Sequence, residues 1–302
     1  MHFDGILFFP LTPFGPDGGT VDLDVLAEHV ASGVAHGAGG VFTACGTGEI
    51  HALSAAEHAA VVERTVTVVN GAVPVVAGAG GSVGTAIEQA RTAKAAGADA
   101  ILLLPPYLVT APQRGLVEYV RTVASAVEIP IIVYQRGTMV LTPASAAEIA
   151  TIPSVVGIKD GVGDLGLMQR IVLAVRSVRG EDFAFFNGLP TAELTVPAYR
   201  GVGVPLYSSA AFAFVPEVAD AFHKAVETGD PLASRLLADF FDPLVALRDR
   251  TPGYAVSLVK AGARLRGVEV GGVRPPFVDL TPEDETELAA LIETGLALVG
   301  KG

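Results

Sequence analysis

Residues 129–160, IPIIVYQRGTMVLTPASAAEIATIPSVVGIKD, show the pattern of one strand, one helix and a second strand. The apolar runs at the two ends, residues 129–134 and 155–159, are short and rich in branched residues, as buried strands are. Between them, Thr142 and Pro143 form a typical helix start before ASAAEIA. Strands of this apolar kind joined by a helix predict a parallel sheet that helices cover.

The same alternation extends from this unit in both directions along the chain. Helix starts are marked by Asp22 and by Ser54 with Glu57, which form a capping-box pattern. Glycines such as Gly97 and Gly180 stand where helix C-caps would fall. Eight strands are predicted, at residues 5–9, 40–44, 73–77, 98–104, 129–134, 155–159, 183–186 and 203–208. Eight strand–helix units predict an α/β fold, the closed (β/α)8 TIM barrel.

An open doubly wound sheet is the alternative, because GAGGSVG at residues 78–84 is similar to a dinucleotide-binding loop. The match is weak, since no GxGxxG follows the first strand and eight units exceed the usual six. After about residue 228 the strand signals stop, and helical segments are predicted at 231–250, 254–266 and 281–298. The sequence thus predicts a catalytic barrel over residues 1–228 and a three-helix C-terminal extension over 229–302, with a role in packing or oligomer contacts.

Composition excludes several classes of function. The longest apolar run, residues 98–111, is interrupted by prolines and is shorter than the roughly 18 residues that a membrane span needs. A formal charge of -12 argues against a nucleic-acid partner. The N-terminus lacks the pattern of a secretory signal, and the single cysteine, Cys45, fits a reducing compartment, so a cytoplasmic protein is expected. Neither Cys45 nor the histidines show metal-ligand spacing, so no metal is expected.

Lys159 ends an apolar strand, at the end of the barrel where active sites of this fold form. The other lysines, in helix-like or terminal segments where solvation is easy, are Lys94, Lys224, Lys260 and Lys301. A buried ammonium needs either a paired charge or a lowered pKa, and a neutral amine attacks ketones. The pattern leaves two interpretations open: a nucleophile, or a lysine that pairs with Asp160 or reaches solvent.

Two other strand ends carry polar groups. Tyr134 ends the fifth strand and offers a phenol for proton transfer, although a tyrosine there is also a common core or rim residue. After the second strand, GTGE at residues 46–49 predicts a tight turn whose backbone N–H groups bind a carboxylate or a phosphate, with a plain connecting turn as the alternative. Such a turn would attract an anion despite the negative charge of the chain.

Taken together, GTGE, the tyrosine that ends strand five and GIKDG at the end of strand six resemble the dihydrodipicolinate synthase and N-acetylneuraminate lyase superfamily. FPLTPF at residues 9–14, VAGAG, ILLLPPY and the three-helix tail extend the resemblance over nearly the whole chain. The resemblance implies that Lys159 is the Schiff-base lysine and Tyr134 the catalytic tyrosine. It also implies that Gly46 and Thr47 hold the carboxylate of a keto acid.

Within that superfamily, LLLPPYLVTAPQ, VYQR, GIKDGVGD, NGLPTAE and YSSAAFAFVPE most resemble the 5-dehydro-4-deoxyglucarate dehydratase branch. Leu108 stands in place of the second tyrosine of the synthase branch, and Met139 in place of its arginine. A charged contact is therefore expected from Arg136 instead. Gln135 and Cys45 depart from the dehydratase pattern, which has Asn and Gly there.

This branch implies a decarboxylating hydro-lyase that needs no cofactor and acts on a six-carbon keto dicarboxylate in glucarate or galactarate catabolism. Its products would be 2,5-dioxopentanoate, CO2 and water, and the protein would form a homo-oligomer, a tetramer or a dimer. Arg136, Asn187, Ser208 and Ser209 are candidate substrate contacts, or else turn-forming and surface residues. Two alternatives stay open: a class I aldolase for a 2-keto-3-deoxy sugar acid, and a non-catalytic barrel that binds keto acids.

Overall fold

The strands pair in parallel and close into one barrel in the order β1 to β8, in a computed structural model that describes residues 3–16 and 18–301. The strands are β1 (Ile6–Phe8), β2 (Ala38–Thr43), β3 (Val75–Gly81), β4 (Ala100–Pro106), β5 (Ile131–Gln135), β6 (Val155–Asp160), β7 (Ala184–Asn187) and β8 (Leu206–Ser209). The predicted (β/α)8 TIM barrel is therefore confirmed. The predicted domain bounds at residues 1 and 302 lie outside the described residues, and the division at residue 228 stays a prediction.

A helix follows each strand, and its first residues show why it starts there. The helices are α1 (Leu23–Ala35), α2 (Ala55–Val69), α3 (Val83–Ala96), α4 (Gln113–Ala126), α5 (Pro143–Ala150), α6 (Leu165–Arg179), α7 (Val196–Gly201) and α8 (Pro216–Thr228). The Asp22 side chain accepts from backbone N–H groups of α1, and Ser54 and Glu57 form the reciprocal capping box of α2. The Thr142 side chain accepts from the Ser145 N–H at the start of α5. The predicted starts of these three helices are therefore confirmed.

The C-terminal extension is helical as predicted, but its first helix is not regular. The segments are α9 (Leu232–Leu236), a π-helical stretch (Leu237–Phe241), α10 (Asp242–Arg248), α11 (Tyr254–Leu265) and α12 (Pro282–Leu298). Pro243 has no N–H to donate to the carbonyl oxygen one turn earlier, so the regular hydrogen bonds of an α-helix are interrupted there. The π-helical stretch lies at this interruption. Phe240 and Phe241 are both fully buried there. Among the described residues, no helix has both the length and the apolar character to cross a bilayer.

Contacts within the chain define two compact units. The central unit comprises residues 74–208, and the terminal unit comprises the described residues of 3–73 and 209–302. Fully buried branched side chains of β4, β5 and β6 form the core of the central unit: Ile101, Leu103, Ile132, Val133 and Ile158. The terminal unit also buries a group of aromatic side chains, among them Phe8, Phe14, Phe42, Phe212 and Phe222.

His29, on α1, makes the terminal unit sensitive to acid. Its ring is buried edge-on against Phe8, its Nε2 accepts from the Leu11 N–H at 3.3 Å, and burial lowers the pKa to about 4 from 6.5. As the pH falls, the unfolded chain takes up a proton on this histidine before the folded protein does. The contribution of the neutral His29 ring to stability is therefore complete above pH 6.5 and is lost as the pH falls towards 4. The free energy of unfolding should fall by at most about 1.4 kcal/mol per pH unit from this group.

The measurement is urea unfolding between pH 4 and 7 for the wild type, His29→Gln and, as a control, His36→Gln at the exposed end of the same helix. The difference in unfolding free energy between the wild type and His29→Gln should shrink as the pH falls. Parallel curves for these two proteins would show that His29 does not cause the loss.

Candidate active site

The register of β5 and β6 decides which side chains meet at their ends. Tyr134 pairs with Lys159, and Gln135 pairs with Asp160. Residues in register on parallel strands face the same side, and successive residues alternate. Asp160 accepts a hydrogen bond from Tyr199 on α7, which places Asp160 and Gln135 on the helix side of the sheet. Tyr134 and Lys159 therefore share its inner face.

Lys159 and Tyr134 are packed against each other on this face. The Lys159 Nζ lies 4.4 Å from the centroid of the Tyr134 ring, and each residue is only 5% exposed. The Tyr134 hydroxyl donates to the Gly188 carbonyl oxygen at 2.8 Å and accepts from the Arg136 Nη1 at 3.2 Å. An amine thus lies against the ring of Tyr134, and a guanidinium donates to its hydroxyl oxygen. This combination is suited to nucleophilic attack on a ketone followed by proton transfer.

Sequence reasoning missed the Arg136 bond to Tyr134, although the signal was present. Positions 134 and 136 are two residues apart at a strand end, so their side chains leave on the same side. Arg136 was predicted instead as a substrate contact. Its guanidinium is partly exposed and could still touch a substrate, and that role stays a prediction.

Two glycines leave the room that this pair needs. A Cβ at position 188 would lie 2.6 Å from the Lys159 Cε, and a Cβ at position 161 would lie 2.8 Å from the Tyr134 hydroxyl oxygen. Both glycines directly follow a strand, in KDG and in NG, and this position is the signal that the sequence offered. A larger residue at either position would therefore have to displace Lys159 or Tyr134.

Replacing Gly188 with alanine should displace the Lys159 side chain. Besides the Cε contact, the added methyl would lie 2.7 Å from the Lys159 Cγ and 2.8 Å from the Asp160 carbonyl oxygen. We expect the rate of imine formation with pyruvate, trapped by borohydride, to fall on the order of 100-fold, because a misplacement of about 1 Å has that effect. Gly84→Ala on α3 is the matched control, since its Cβ would meet nothing closer than 4.0 Å. Equal rates in the two variants would contradict the steric argument.

Asp160 is fixed on the helix side of the sheet and is fully buried. Its carboxylate accepts four hydrogen bonds, from Gln135 Nε2 at 2.7 Å, Val162 N at 3.1 Å, Gly163 N at 3.3 Å and the Tyr199 hydroxyl. Burial, followed by this bond to Asp160, raises the pKa of the Tyr199 phenol. This network ties β5 and β6 to α7, and the Asp160 carboxylate lies on the opposite face of the sheet from Lys159.

Asn187 and Ser208, both predicted substrate contacts, lie on different faces. Asn187 pairs with Asp160 on the helix side, and its amide bonds within its own loop, to Ala192 O, Thr195 Oγ1 and Leu189 N. Ser208 lies two residues after Leu206, which pairs with Phe186, so it shares the face of Lys159. Its hydroxyl donates to the Asn187 carbonyl oxygen at 3.3 Å. A substrate contact of either residue stays a prediction.

The other predicted residues, Gly46, Thr47 and Ser209, belong to the terminal unit. Gly46 is exposed and Thr47 is half-buried in the turn after β2. Ser209 is buried, and its hydroxyl accepts from the Phe212 N–H at 3.0 Å, as a turn-forming serine does. The role of all three towards a substrate stays a prediction.

Comparison with known proteins gives a consistent result. Residues 2–295 match the model of the dihydrodipicolinate synthetase family. The chain is 55% identical to the probable 5-dehydro-4-deoxyglucarate dehydratase 1 of Streptomyces coelicolor and 52% identical to that of Streptomyces avermitilis, over 99% of this chain and 95% of each relative. The crystal structure of dihydrodipicolinate synthase from Oceanobacillus iheyensis superposes with a TM-score of 0.87 at 29% identity, covering 96% of each chain.

Proposed function

The chain belongs to the dihydrodipicolinate synthetase family, and from this premise we propose that it is a Schiff-base lyase, a decarboxylating 5-dehydro-4-deoxyglucarate dehydratase. The names of the Streptomyces relatives support the substrate. The observation that carries the chemistry is the contact of the Lys159 Nζ with the Tyr134 ring at 4.4 Å. This contact places a nucleophile for the ketone beside a phenol that can carry the proton.

In the first step, the Lys159 Nζ attacks the ketone carbon, and the ketone oxygen leaves as water. The resulting iminium withdraws electrons from the neighbouring CH2 group. The adjacent carboxylate is assigned to the turn of Gly46 and Thr47. This assignment is supported by the exposure of Gly46 and by the position of the turn after β2, since sites of this fold form where the strands end.

Next, the CH2 group loses a proton and the β-hydroxyl leaves as water. A phenol has an ordinary pKa of about 10, so Tyr134 needs help to accept a proton near neutral pH. The Arg136 Nη1 donates to the Tyr134 hydroxyl oxygen at 3.2 Å and places a positive charge beside the atom that exchanges the proton. Tyr134 is therefore assigned the proton transfer, with Arg136 as its support. Elimination leaves an iminium conjugated to a carbon–carbon double bond.

This conjugated iminium accepts the electron pair released when the far carboxylate leaves as CO2. Protonation of the resulting dienamine, tautomerisation of the enol at the decarboxylated carbon to an aldehyde, and hydrolysis of the imine free 2,5-dioxopentanoate and Lys159. The hydrolysis uses one water, which balances the water lost in imine formation, so the net products are one CO2 and one water. Ser208, on the face of Lys159, is the candidate contact for the substrate hydroxyls, and Ser209 and Asn187 are weaker candidates.

The test is incubation with 5-dehydro-4-deoxyglucarate, with CO2 and the organic product measured together. We expect equimolar CO2 and 2,5-dioxopentanoate. Release of pyruvate without CO2 would replace the proposal with a class I aldolase. Tight binding without turnover would replace it with a keto-acid-binding barrel.

We also propose that the protein is a homo-oligomer, a dimer or a tetramer, and acts in the cytoplasm. Three consecutive apolar side chains after β4, those of Tyr107, Leu108 and Val109, are exposed and support such an assembly. Light scattering on the purified protein gives the mass, and a monomer at micromolar concentration would contradict the assembly.

A further inference from the structure

A buried ion pair in the terminal unit lies directly behind the turn after β2. The Lys260 Nζ on α11 lies 2.7 Å from the Glu49 Oε1, and both side chains are 0% exposed. Burial lowers the pKa of Lys260, an effect that the Glu49 carboxylate opposes. The sequence analysis placed Lys260 in a segment where solvation is easy, and that expectation is wrong. A buried pair of this kind needs partners that fix its geometry.

Those partners come from two further segments of the terminal unit. The Lys260 Nζ donates to the Gly272 carbonyl oxygen at 2.7 Å and lies 3.9 Å from the centroid of the Phe14 ring. The second oxygen of Glu49 accepts from the Arg274 N–H at 3.0 Å. The N-terminal segment around Phe14, α11 and the connector before α12 thus meet at the ion pair of Lys260 and Glu49.

Arg274 extends this arrangement to both sides of the turn. Its guanidinium lies over the Phe14 ring at 4.1 Å and donates to the oxygens of Gly18, Gly19 and Ala52 and to both carboxylate oxygens of Glu57. The bonds to Glu57 lower the pKa of that carboxyl to about 2. The helix that follows the turn is therefore anchored to the same connector as Glu49.

The turn itself has a backbone that needs support. Ala44 and Glu49, at its two ends, have φ values of 48° and 54°, in the left-handed region that residues with a Cβ disfavour. The Thr12 hydroxyl donates to the Gly48 carbonyl oxygen at 2.7 Å, also from behind. Gly46 remains exposed, and a Cβ there would meet nothing within 4 Å. Support thus comes from the buried side of the turn, and Gly46 stays accessible on the other side.

We infer that Glu49, through its ion pair with Lys260 and its bond to Arg274, is a positioning residue that holds the Gly46 and Thr47 backbone in the shape that binds a keto-acid carboxylate. The inference rests on the proposed function and deepens it. It gives the C-terminal extension a role in substrate recognition besides packing.

The test compares two ketones that differ in the carboxylate, pyruvate and hydroxyacetone, by borohydride trapping on Lys159. In Lys260→Met we expect the half-saturating pyruvate concentration to rise at least about tenfold, since binding groups out of position lose most of their contribution. The half-saturating concentration of hydroxyacetone should change by less than roughly twofold, because this ketone has no carboxylate for the turn to bind. A general loss of structure would affect both ketones alike.

Two further variants keep the comparison decisive. Glu49→Leu combined with Lys260→Met removes both buried charges, so folding should be retained while the preference for pyruvate is still lost. Arg250→Met is the matched control, because Arg250 belongs to the same extension and forms an exposed ion pair with Glu287 at 2.7 Å. We expect it to trap pyruvate like the wild type. Wild-type selectivity in the double variant would overturn the inference.

Hydrogen exchange on the wild type tests the same inference without any substitution. The amides of Glu49 and Ile50, bonded to Gly46 O at 3.1 Å and Cys45 O at 3.2 Å, should exchange slowly in the ligand-free protein. Rapid exchange there would show that the turn is not held in advance. The outcomes remain separable: no adduct on Lys159 in the wild type refutes the Schiff base, whereas an adduct without CO2 release refutes only the dehydratase.

Discussion

Lys159→Met is expected to abolish turnover of 5-dehydro-4-deoxyglucarate, with a loss on the order of 10⁴-fold or more, because the amine that forms the imine is removed. Methionine has a similar length and no charge, so it can keep the packing against Gly188 and the Tyr134 ring. Because a buried amine is replaced by an apolar group of similar length, the unfolding midpoint should stay equal or rise. The measurements are the rate of CO2 release, and mass spectrometry after borohydride treatment with pyruvate.

Lys94→Met is the matched control, because Lys94 lies in the same central unit, is half-exposed and has Glu128 3.9 Å away. We expect wild-type turnover and a normal adduct on Lys159 in this variant. A pyruvate adduct that persists in Lys159→Met, on any other lysine, would assign the nucleophile elsewhere. Normal turnover in Lys159→Met would refute a Schiff-base mechanism through Lys159.

The fold could be predicted because its signals are local. The apolar run at residues 155–159 and the Thr142 cap each depend on a few neighbouring residues, and both are found where the pattern indicated. The first helix of the extension shows the limit of such reasoning. Residues 231–250 were predicted as one helical segment, although Pro243 marks an interruption in it. The form that the interruption takes, a π-helical stretch with Phe240 and Phe241 buried, depends on the packed structure.

In the candidate site, the neighbours Tyr134 and Lys159 could be paired from the sequence because both end adjacent strands. The surroundings of Lys260 could not be predicted in this way. Its helix has apolar residues at helical spacing, a pattern that does not show whether the amine of a lysine reaches solvent. Its burial depends on Glu49 and Gly272, which are distant in sequence. Charges that are buried by long-range contacts leave no periodic pattern, so sequence reasoning identified the reacting groups and missed those that hold the turn.

Tyr134→Phe is expected to lower kcat by about 10²- to 10⁴-fold, the usual contribution of a general acid or base. The change removes the hydroxyl that bonds to the Gly188 carbonyl oxygen and to the Arg136 guanidinium. It keeps the ring face against which the Lys159 Nζ lies, so trapping of the pyruvate imine should persist. Exchange of the pyruvate methyl protons with deuterated water, followed by NMR, reports the proton transfer alone and should slow in parallel with kcat.

Tyr119→Phe provides the comparison that separates proton transfer from the loss of a buried hydroxyl. Tyr119 lies in the same unit and also donates to a backbone carbonyl oxygen, that of Leu104 at 3.1 Å. Each variant should lose about 1 kcal/mol of stability from the lost hydrogen bond, but only Tyr134→Phe should slow methyl exchange. If both variants exchanged protons at the wild-type rate, Tyr134 would not carry the proton, and the Arg136 guanidinium beside it would more reasonably be assigned to binding the substrate.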